Sequence, residues 1–312
     1  MNQKVAIITP YFGKWPEWID LHFFSCGQNN TIDFIFFTDC QLPEKRYPNV
    51  RFYPMSFDDY CMFVSERLNI DFKPVKAYKL CDLKVFYGYI HQDLLVDYDF
   101  WGFGDVDLIW GRISKFYTDD LLGKYNVFST HADRLSGHLS LFRNNEKYRN
   151  LCMTIQNWKS KLANPEYVGM DEVELSQIIY PESKYIIKVY SKIIRKLFNW
   201  RDAWVIYYHI MPWINSLVMF KYRKLYFVEQ HTTPILYPDG LTFKHDSATW
   251  HYDKYSILNA KTMEEYIYVH FMIYKKNSFR NDHFWTNDKD IYRIDNFNIE
   301  NKIIIDKSGF HH

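Results

Sequence analysis

The stretch Tyr98-Asp99-Phe100-Trp101-Gly102-Phe103-Gly104-Asp105-Val106-Asp107-Leu108-Ile109-Trp110 decides how this chain is read. It opens as an apolar, aromatic run and ends in two aspartates two residues apart. A short apolar run bounded by polar residues reads as a buried strand. In extended chain, residues i and i+2 project to one side, so Asp105 and Asp107 can hold one hard divalent cation between them. Mg²⁺ and Mn²⁺ prefer oxygen ligands, often bind through one or two carboxylates, and fill their shell with water and substrate phosphates. The plain alternative is a solvated turn with two acids, since Asp-x-Asp also arises by chance.

On the N-terminal side, Val5-Ala6-Ile7-Ile8-Thr9-Pro10 is a second apolar run, stopped by Pro10 and followed by Gly13. Phe34-Ile35-Phe36-Phe37-Thr38-Asp39 and Val50-Arg51-Phe52-Tyr53-Pro54 are two more. The stretches between them have helical character, as does Lys76 to Leu95, where Leu80, Leu83, Val85, Phe86 and Ile90 form an apolar face. Strands alternating with helices predict an α/β domain with a mostly parallel sheet. Ligands of such sheets gather at the carboxyl ends of strands. Pro10 to Gly13, Asp39 and the Asp105/Asp107 pair all fall at such ends.

On the C-terminal side, Asn126-Val127-Phe128-Ser129-Thr130 and His138-Leu139-Ser140-Leu141-Phe142 read as further strands. Helices are expected over about Glu146 to Leu162 and Asp171 to Ile179. The segment Lys184 to Lys224 differs in kind: it is basic, with Asp202 as its only acid, and its centre Ala203 to Phe220 is rich in Trp, Tyr and Ile. It reads as a helical insertion lying on an anionic membrane face, or as packing surface with a solvated basic rim. The expected organisation is a core over 1–180, the insertion over 181–228, and a C-terminal part over 229–312 that completes the site.

Composition narrows the classes. The 312 residues carry a net charge of +1, so no global field points to nucleic acid, and 20 % are aromatic. The five cysteines form no Cys-x-x-Cys pair, which fits a reducing cytoplasm better than a disulfide framework. The N-terminus enters an apolar run without a basic leader, so no signal peptide is expected. A cytoplasmic protein, peripheral on the inner membrane face if the insertion touches lipid, is the expected setting.

A metal needs more than two acids. Glu265-Tyr266-Ile267-Tyr268-Val269-His270-Phe271-Met272-Ile273-Tyr274-Lys275-Lys276 reads as a strand with His270 on one face. His270 is the candidate third ligand, and Lys276 a point charge for phosphate. The alternative is a packed, hydrogen-bonded histidine.

The order of strand, aromatic loop, helix, Asp-x-Asp, small-residue strand, acidic helix start and late His then Lys resembles the GT-A glycosyltransferases, most closely the retaining family-8 galactosyl- and glucosyltransferases. Asp105 and Asp107 match that family's Asp-x-Asp. His270 and Lys276 match its late His and the Lys six residues on, without its glycines and Pro-Trp. Asp82-Leu83-Lys84 stands where the family has Arg-Leu-Lys, so Asp82 replaces an Arg that contacts phosphate or sugar. Gly137-His138-Leu139-Ser140 resembles its Asn-Ala-Gly strand, and Met170-Asp171-Glu172-Val173 falls where it has Asp-Gln-Asp. Lys79 to Lys84 and Tyr98 to Gly111 also resemble bacterial enzymes encoded with capsule and O-antigen genes.

The resemblance implies a Mn²⁺- or Mg²⁺-dependent hexosyltransferase that moves a sugar from a nucleotide diphosphate, a UDP-sugar foremost. The acceptor would be a surface glycan such as a lipid-linked capsule, O-antigen or lipopolysaccharide precursor. Tyr11 and Phe12 would flank the base and Asp39 would bind uracil or ribose, or all three are ordinary loop and strand-end residues. Asp82 and Lys84 would face the donor, Asp105 ribose and metal, Asp107 and His270 the metal, and Lys276 the phosphates. Gly137 and His138 would line the donor sugar, unless His138 is a structural strand residue. Asp171 and Glu172 would carry catalysis, as base in an inverting enzyme or as sugar contacts in a retaining one. They are otherwise acids favoured at a helix start. The rivals are a nucleotidyl- or phosphotransferase with a third carboxylate at the pair, Asp99 being the nearby acid, and a non-catalytic glycan-binding module.

Overall fold

A computed structural model of the chain describes residues 2–131, 134–181, 195–197, 224–228, 230, 232, 236–237, 240–241, 249–271, 302–306 and 309–312. Its central sheet is built from β1 (Val5–Ile8), β2 (Ile32–Thr38), β3 (Val50–Pro54), β4 (Phe100–Gly104), β6 (Val127–Ser129), β7 (Leu139–Arg143) and β8 (Leu225–Phe227), while β5 (Leu108–Trp110) lies outside it. The order is β3-β2-β1-β4-β7-β6-β8. The β3/β2, β2/β1, β1/β4 and β6/β8 pairings are parallel. The β4/β7 and β6/β7 pairings are antiparallel. The fold is therefore mixed α/β, with a mostly parallel, Rossmann-like sheet between flanking helices.

Both faces of this sheet are covered, which is why its strands are continuous apolar runs. Along β1, Val5 and Ile7 face one core while Ala6 and Ile8 face the other. Along β2, Phe34 and Phe36 alternate in the same way with Ile35 and Phe37. Helix α1 (Ile19–Gly27) lies between two sheets: Phe23 and Cys26 pack on the central sheet, Leu21 and Phe24 on a second one. That explains a helix buried along most of its length, with Asp20 exposed in its first turn. Helix α2 (Phe57–Leu68) starts at Ser56, whose hydroxyl accepts from the Asp59 N–H, and buries Tyr60, Cys61, Val64 and Leu68.

Beyond β8, a two-strand ladder joins β9 (Leu236–Tyr237) and β10 (Gly240–Leu241). The second sheet contains β11 (Trp250–Asp253), β12 (Ser256–Asn259), β13 (Glu265–Tyr266), β15 (Ile303–Asp306) and β16 (Gly309–His311), all antiparallel in the order β13-β12-β11-β15-β16. Between β13 and β15 runs β14 (Tyr268–His270), which leaves that sheet and pairs with β5, placing His270 opposite Leu108.

Three stretches expected to be helical contain helices of irregular form. Lys76 to Leu95 is not one amphipathic helix. It is a 3-10 helix over Ala77–Phe86 followed by the short helix Tyr87–Ile90. Lys79, Asp82 and Lys84 point inward beside the apolar residues, while Ala77 and Tyr78 are exposed, so polar and apolar residues do not segregate into two faces. Glu146 to Leu162 breaks into helices Glu146–Arg149 and Trp158–Ala163 around a 3-10 turn, with Asn157 left-handed at φ 57°. Asp171 to Ile179 begins as a π-helical turn, Met170–Glu174, after Gly169 at φ 75°.

Candidate functional site

Asp105 and Asp107 do not share a strand. They sit on a bend between the end of β4 and the start of β5, so the bend, not the pleat, brings them together. Five hydrogen bonds fasten it. The Thr9 hydroxyl donates to the Gly104 carbonyl at 2.9 Å, and the Asp105 N–H donates to His138 O at 3.2 Å. Trp18 Nε1 donates to Val106 O at 2.9 Å, and the Phe271 N–H to Asp107 O at 3.3 Å. His22 Nδ1 lies 2.6 Å from Leu108 O. A carbonyl only accepts, so that nitrogen carries the proton. Burial pushes the His22 imidazole down to about 4, which keeps it neutral.

The β14–β5 pairing then delivers His270. Its backbone N–H donates to Thr232 Oγ1 at 2.9 Å, and its Nε2 stands 3.6 Å from Asp107 Oδ1. One ligand atom each from Asp105, Asp107 and His270 lies within 4.8 Å of the others, and among the described residues no other acid, His or Cys cluster does this. The His138 ring stacks on the His270 ring at 4.3 Å between centroids, with Ser136 Oγ 3.1 Å from Nδ1 and the Tyr268 hydroxyl bonded to Nε2. His138 and His270 are both buried.

Because β7 is antiparallel to β4, with Gly104 opposite Leu139, its first residues meet the end of β4. This puts Gly137 at the site. A Cβ there would lie 2.9 Å from Glu172 Oε1 and 3.1 Å from Asp171 Oδ2, so only glycine leaves both carboxylates in place. The Gly137 N–H donates to Glu172 Oε1 at 3.2 Å, and its carbonyl accepts from Lys84 Nζ at 2.7 Å.

Lys84 joins the parts. Its Nζ also donates to Asp105 Oδ1 at 2.6 Å and lies 3.8 Å from Asp171 Oδ2. Burial opposes its charge, but Asp105, Cys81 and Asp171 outweigh burial and hold the ammonium well above the ordinary lysine value. Asp171 goes the other way. Burial, aided by Glu172 and Asp105 and opposed by Lys84 and the Tyr167 hydroxyl, pushes its carboxyl up to about 6. Tyr167 donates to Asp171 Oδ1 at 3.0 Å.

The other expected contacts fare unevenly. Tyr11 is half-buried and stacks on Trp15 at 5.0 Å. Burial, then Cys40 and Asp107, raise its hydroxyl pKa. Asp39 is exposed and closes the same loop, Oδ1 accepting from the Gly13 N–H at 2.6 Å. Phe12 needs correction: it turns into the core against Phe57 and Tyr60. Asp82 needs correction too. It is fully buried and holds Lys79, the Val168 N–H and the Met170 N–H, so no ligand reaches it. Asp99 lies at the far end of β4, accepting from the Lys4 N–H at 2.8 Å; the third acid near the site is Asp171. Lys276 lies outside the described residues, as does Ala203 to Phe220 and all of the basic segment but 195–197 and Lys224.

Sequence reading missed Tyr167, Tyr268, Trp18 and Thr232. Tyr268 had a signal, two positions before His270 on the same strand. The others come from loops whose approach only the fold specifies.

A family described as "Family of unknown function (DUF6625)" matches residues 7–307. The chain belongs to this family. No curated protein sequence matches this DUF6625 chain. Among solved structures, it is similar to the galactosyltransferase LgtC in complex with donor and acceptor sugar analogs, at 12 % identity. That match covers 57 % of the DUF6625 chain and 70 % of LgtC, with a TM-score of 0.34. Among the described residues of the DUF6625 chain, no helix is long and apolar enough to cross a membrane.

Proposed function

We propose that this protein is a metal-dependent glycosyltransferase of GT-A type, moving a sugar from a nucleotide diphosphate, foremost UDP, to a surface-glycan acceptor. The observation that carries the reading is the convergence of Asp105, Asp107 and His270, whose ligand atoms lie within 4.8 Å across 165 positions of chain. Two carboxylates and one imidazole suit Mn²⁺, and Mg²⁺ less well because it favours all-oxygen surroundings. When bound there, such an ion supplies Lewis-acid neutralisation of the diphosphate as it leaves.

The chain's own groups supply the rest. Lys84, held cationic, orients Asp105 and fixes the distance to Asp171. Asp171, with a carboxyl pKa of about 6, is poised near neutral pH to accept a proton from an acceptor hydroxyl. Alternatively, as an anion, it stabilises positive charge at the anomeric carbon. Glu172, bonded to the Gly137 N–H, shares the same wall. Tyr11 and Asp39 form the rim for the base and ribose. The segment 181–228 and Lys276 belong to the acceptor and phosphate sides of this reading, the former meeting a lipid-linked precursor at the inner membrane face.

The test is a nucleotide-sugar panel with Mn²⁺, read as released UDP or GDP. Turnover that stops with EDTA and returns with Mn²⁺ supports the reading. Saccharide binding indifferent to EDTA, with no donor cleavage, would instead indicate a glycan-binding module.

A further inference from the structure

Lys79 and Asp82 form a deeply buried ion pair, with side chains 1 % and 0 % exposed and Nζ 2.9 Å from Oδ2. The 3-10 helix explains how one short run supplies two separate devices. At three residues per turn, positions i and i+3 stand one above the other. Lys79 and Asp82 form one row, and Cys81 and Lys84 form another. The second row reaches Asp105. The first reaches a different stretch of backbone.

Every donor of the Lys79 ammonium is used: one on Asp82, one on Lys161 O at 2.8 Å, one on Glu166 O at 2.9 Å. Asp82 takes the Val168 N–H on Oδ2 at 2.9 Å and the Met170 N–H on Oδ1 at 2.8 Å. Four backbone groups, from the last turn of the Trp158–Ala163 helix to the first residue of the π-helical turn, are thus satisfied by one neutral pair. A buried pair is poor evidence for stability, because desolvation consumes most of its attraction. What this one secures is the position of a stretch whose middle, 164–169, belongs to no helix or strand. Just beyond it come Gly169, left-handed, and the π-helical turn that carries Asp171 and Glu172. The last clamped group, the Met170 N–H, is one Cα step of about 3.8 Å from Asp171.

We propose that the Lys79–Asp82 pair is a positioning device, which fixes the backbone from Lys161 to Met170 so that Asp171 faces Lys84 and Glu172 meets Gly137. What Asp171 then does rests on the glycosyltransferase reading; the placement does not. The acid at position 82, where the resemblance led one to expect a ligand-binding Arg, acts on the protein's own backbone. Misplacing a reacting group by about 1 Å costs on the order of 10²-fold in rate, and loss of the clamp puts Asp171 at that risk.

The test uses the full chain and two variants, Asp82→Asn and the charge-free double variant Lys79→Met with Asp82→Leu. The double variant matters because replacing a buried pair by apolar groups tends to preserve stability. Amide hydrogen exchange is followed in peptides covering 166–172 and, as reference, in β1 and β4. The expected result is exchange at least about tenfold faster in 166–172 with β1 and β4 unchanged, in both variants. Donor turnover with Mn²⁺ should fall on the order of 10²-fold with KM for the nucleotide sugar within about twofold. If Asp82→Asn does not fold, the double variant decides. A double variant with wild-type exchange in 166–172, or with exchange raised equally in β1 and β4, overturns the proposal. So does one with wild-type turnover. Should the wild-type chain cleave no nucleotide sugar, the glycosyltransferase reading fails while the exchange measurement still decides the clamp.

Discussion

The bend at Asp105–Asp107 and the wall at Lys84–Asp171 lie side by side but handle charge in opposite ways. The bend is held almost wholly by backbone and neutral side-chain bonds, from Thr9, Trp18, His22 and Phe271. Its carboxylates converge with one imidazole. The wall is held by charge itself: Lys84 against Asp105 and Asp171, and Lys79 against Asp82 beneath it. In the first, removal of the Asp107 carboxylate is expected to leave the fold intact. In the second, removing a lysine strands its acids in the interior.

Asp107→Ala should show the largest effect, and on turnover alone. Donor cleavage should fall by at least about 10³-fold, on the scale of losing a main electrostatic stabiliser. The urea midpoint should hold or rise, since one of two neighbouring carboxylates is gone. Lys84→Met should reverse the pattern. It leaves Asp105 and Asp171 without their cation, at a cost of about 3–5 kcal/mol, read by urea unfolding.

Asp171→Asn sharpens the contrast through pH. A carboxyl pushed up to about 6 binds its proton more tightly in the folded state than in the unfolded one. It therefore costs no stability below about pH 4, and an increasing amount as pH rises towards 6. The Asn variant should be more stable than wild type by on the order of 2 kcal/mol above pH 6, with the gain gone near pH 4, while turnover is lost. The smallest effect belongs to Tyr167→Phe. It removes the hydroxyl that favours ionised Asp171. Stability should drop by about 1 kcal/mol, and the acid limb of the rate profile should move to higher pH.

Much of the sheet was legible because β1, β2 and β4 are buried on both faces, which writes them as unbroken apolar runs. The acid pair and His270 were legible as residue types, but the reason offered for the pair, a shared strand face, was replaced by a bend. The wall was legible only in part. Lys84, Gly137, Asp171 and Glu172 stood out, yet nothing in Lys79 to Lys84 announces that two lysines and an aspartate turn inward. Periodicity reports where apolar residues go, and it is silent when charged residues join them. Asp82 was misassigned for that reason, since its partners are backbone N–H groups 86 and 88 positions away.

The most direct measurement is a crystal structure of the protein soaked with Mn²⁺ and UDP, with the metal located by anomalous scattering. The account predicts one ion coordinated by Asp105, Asp107 and His270 and by diphosphate oxygens. An ion bound elsewhere, or UDP held without touching that bend, would contradict it.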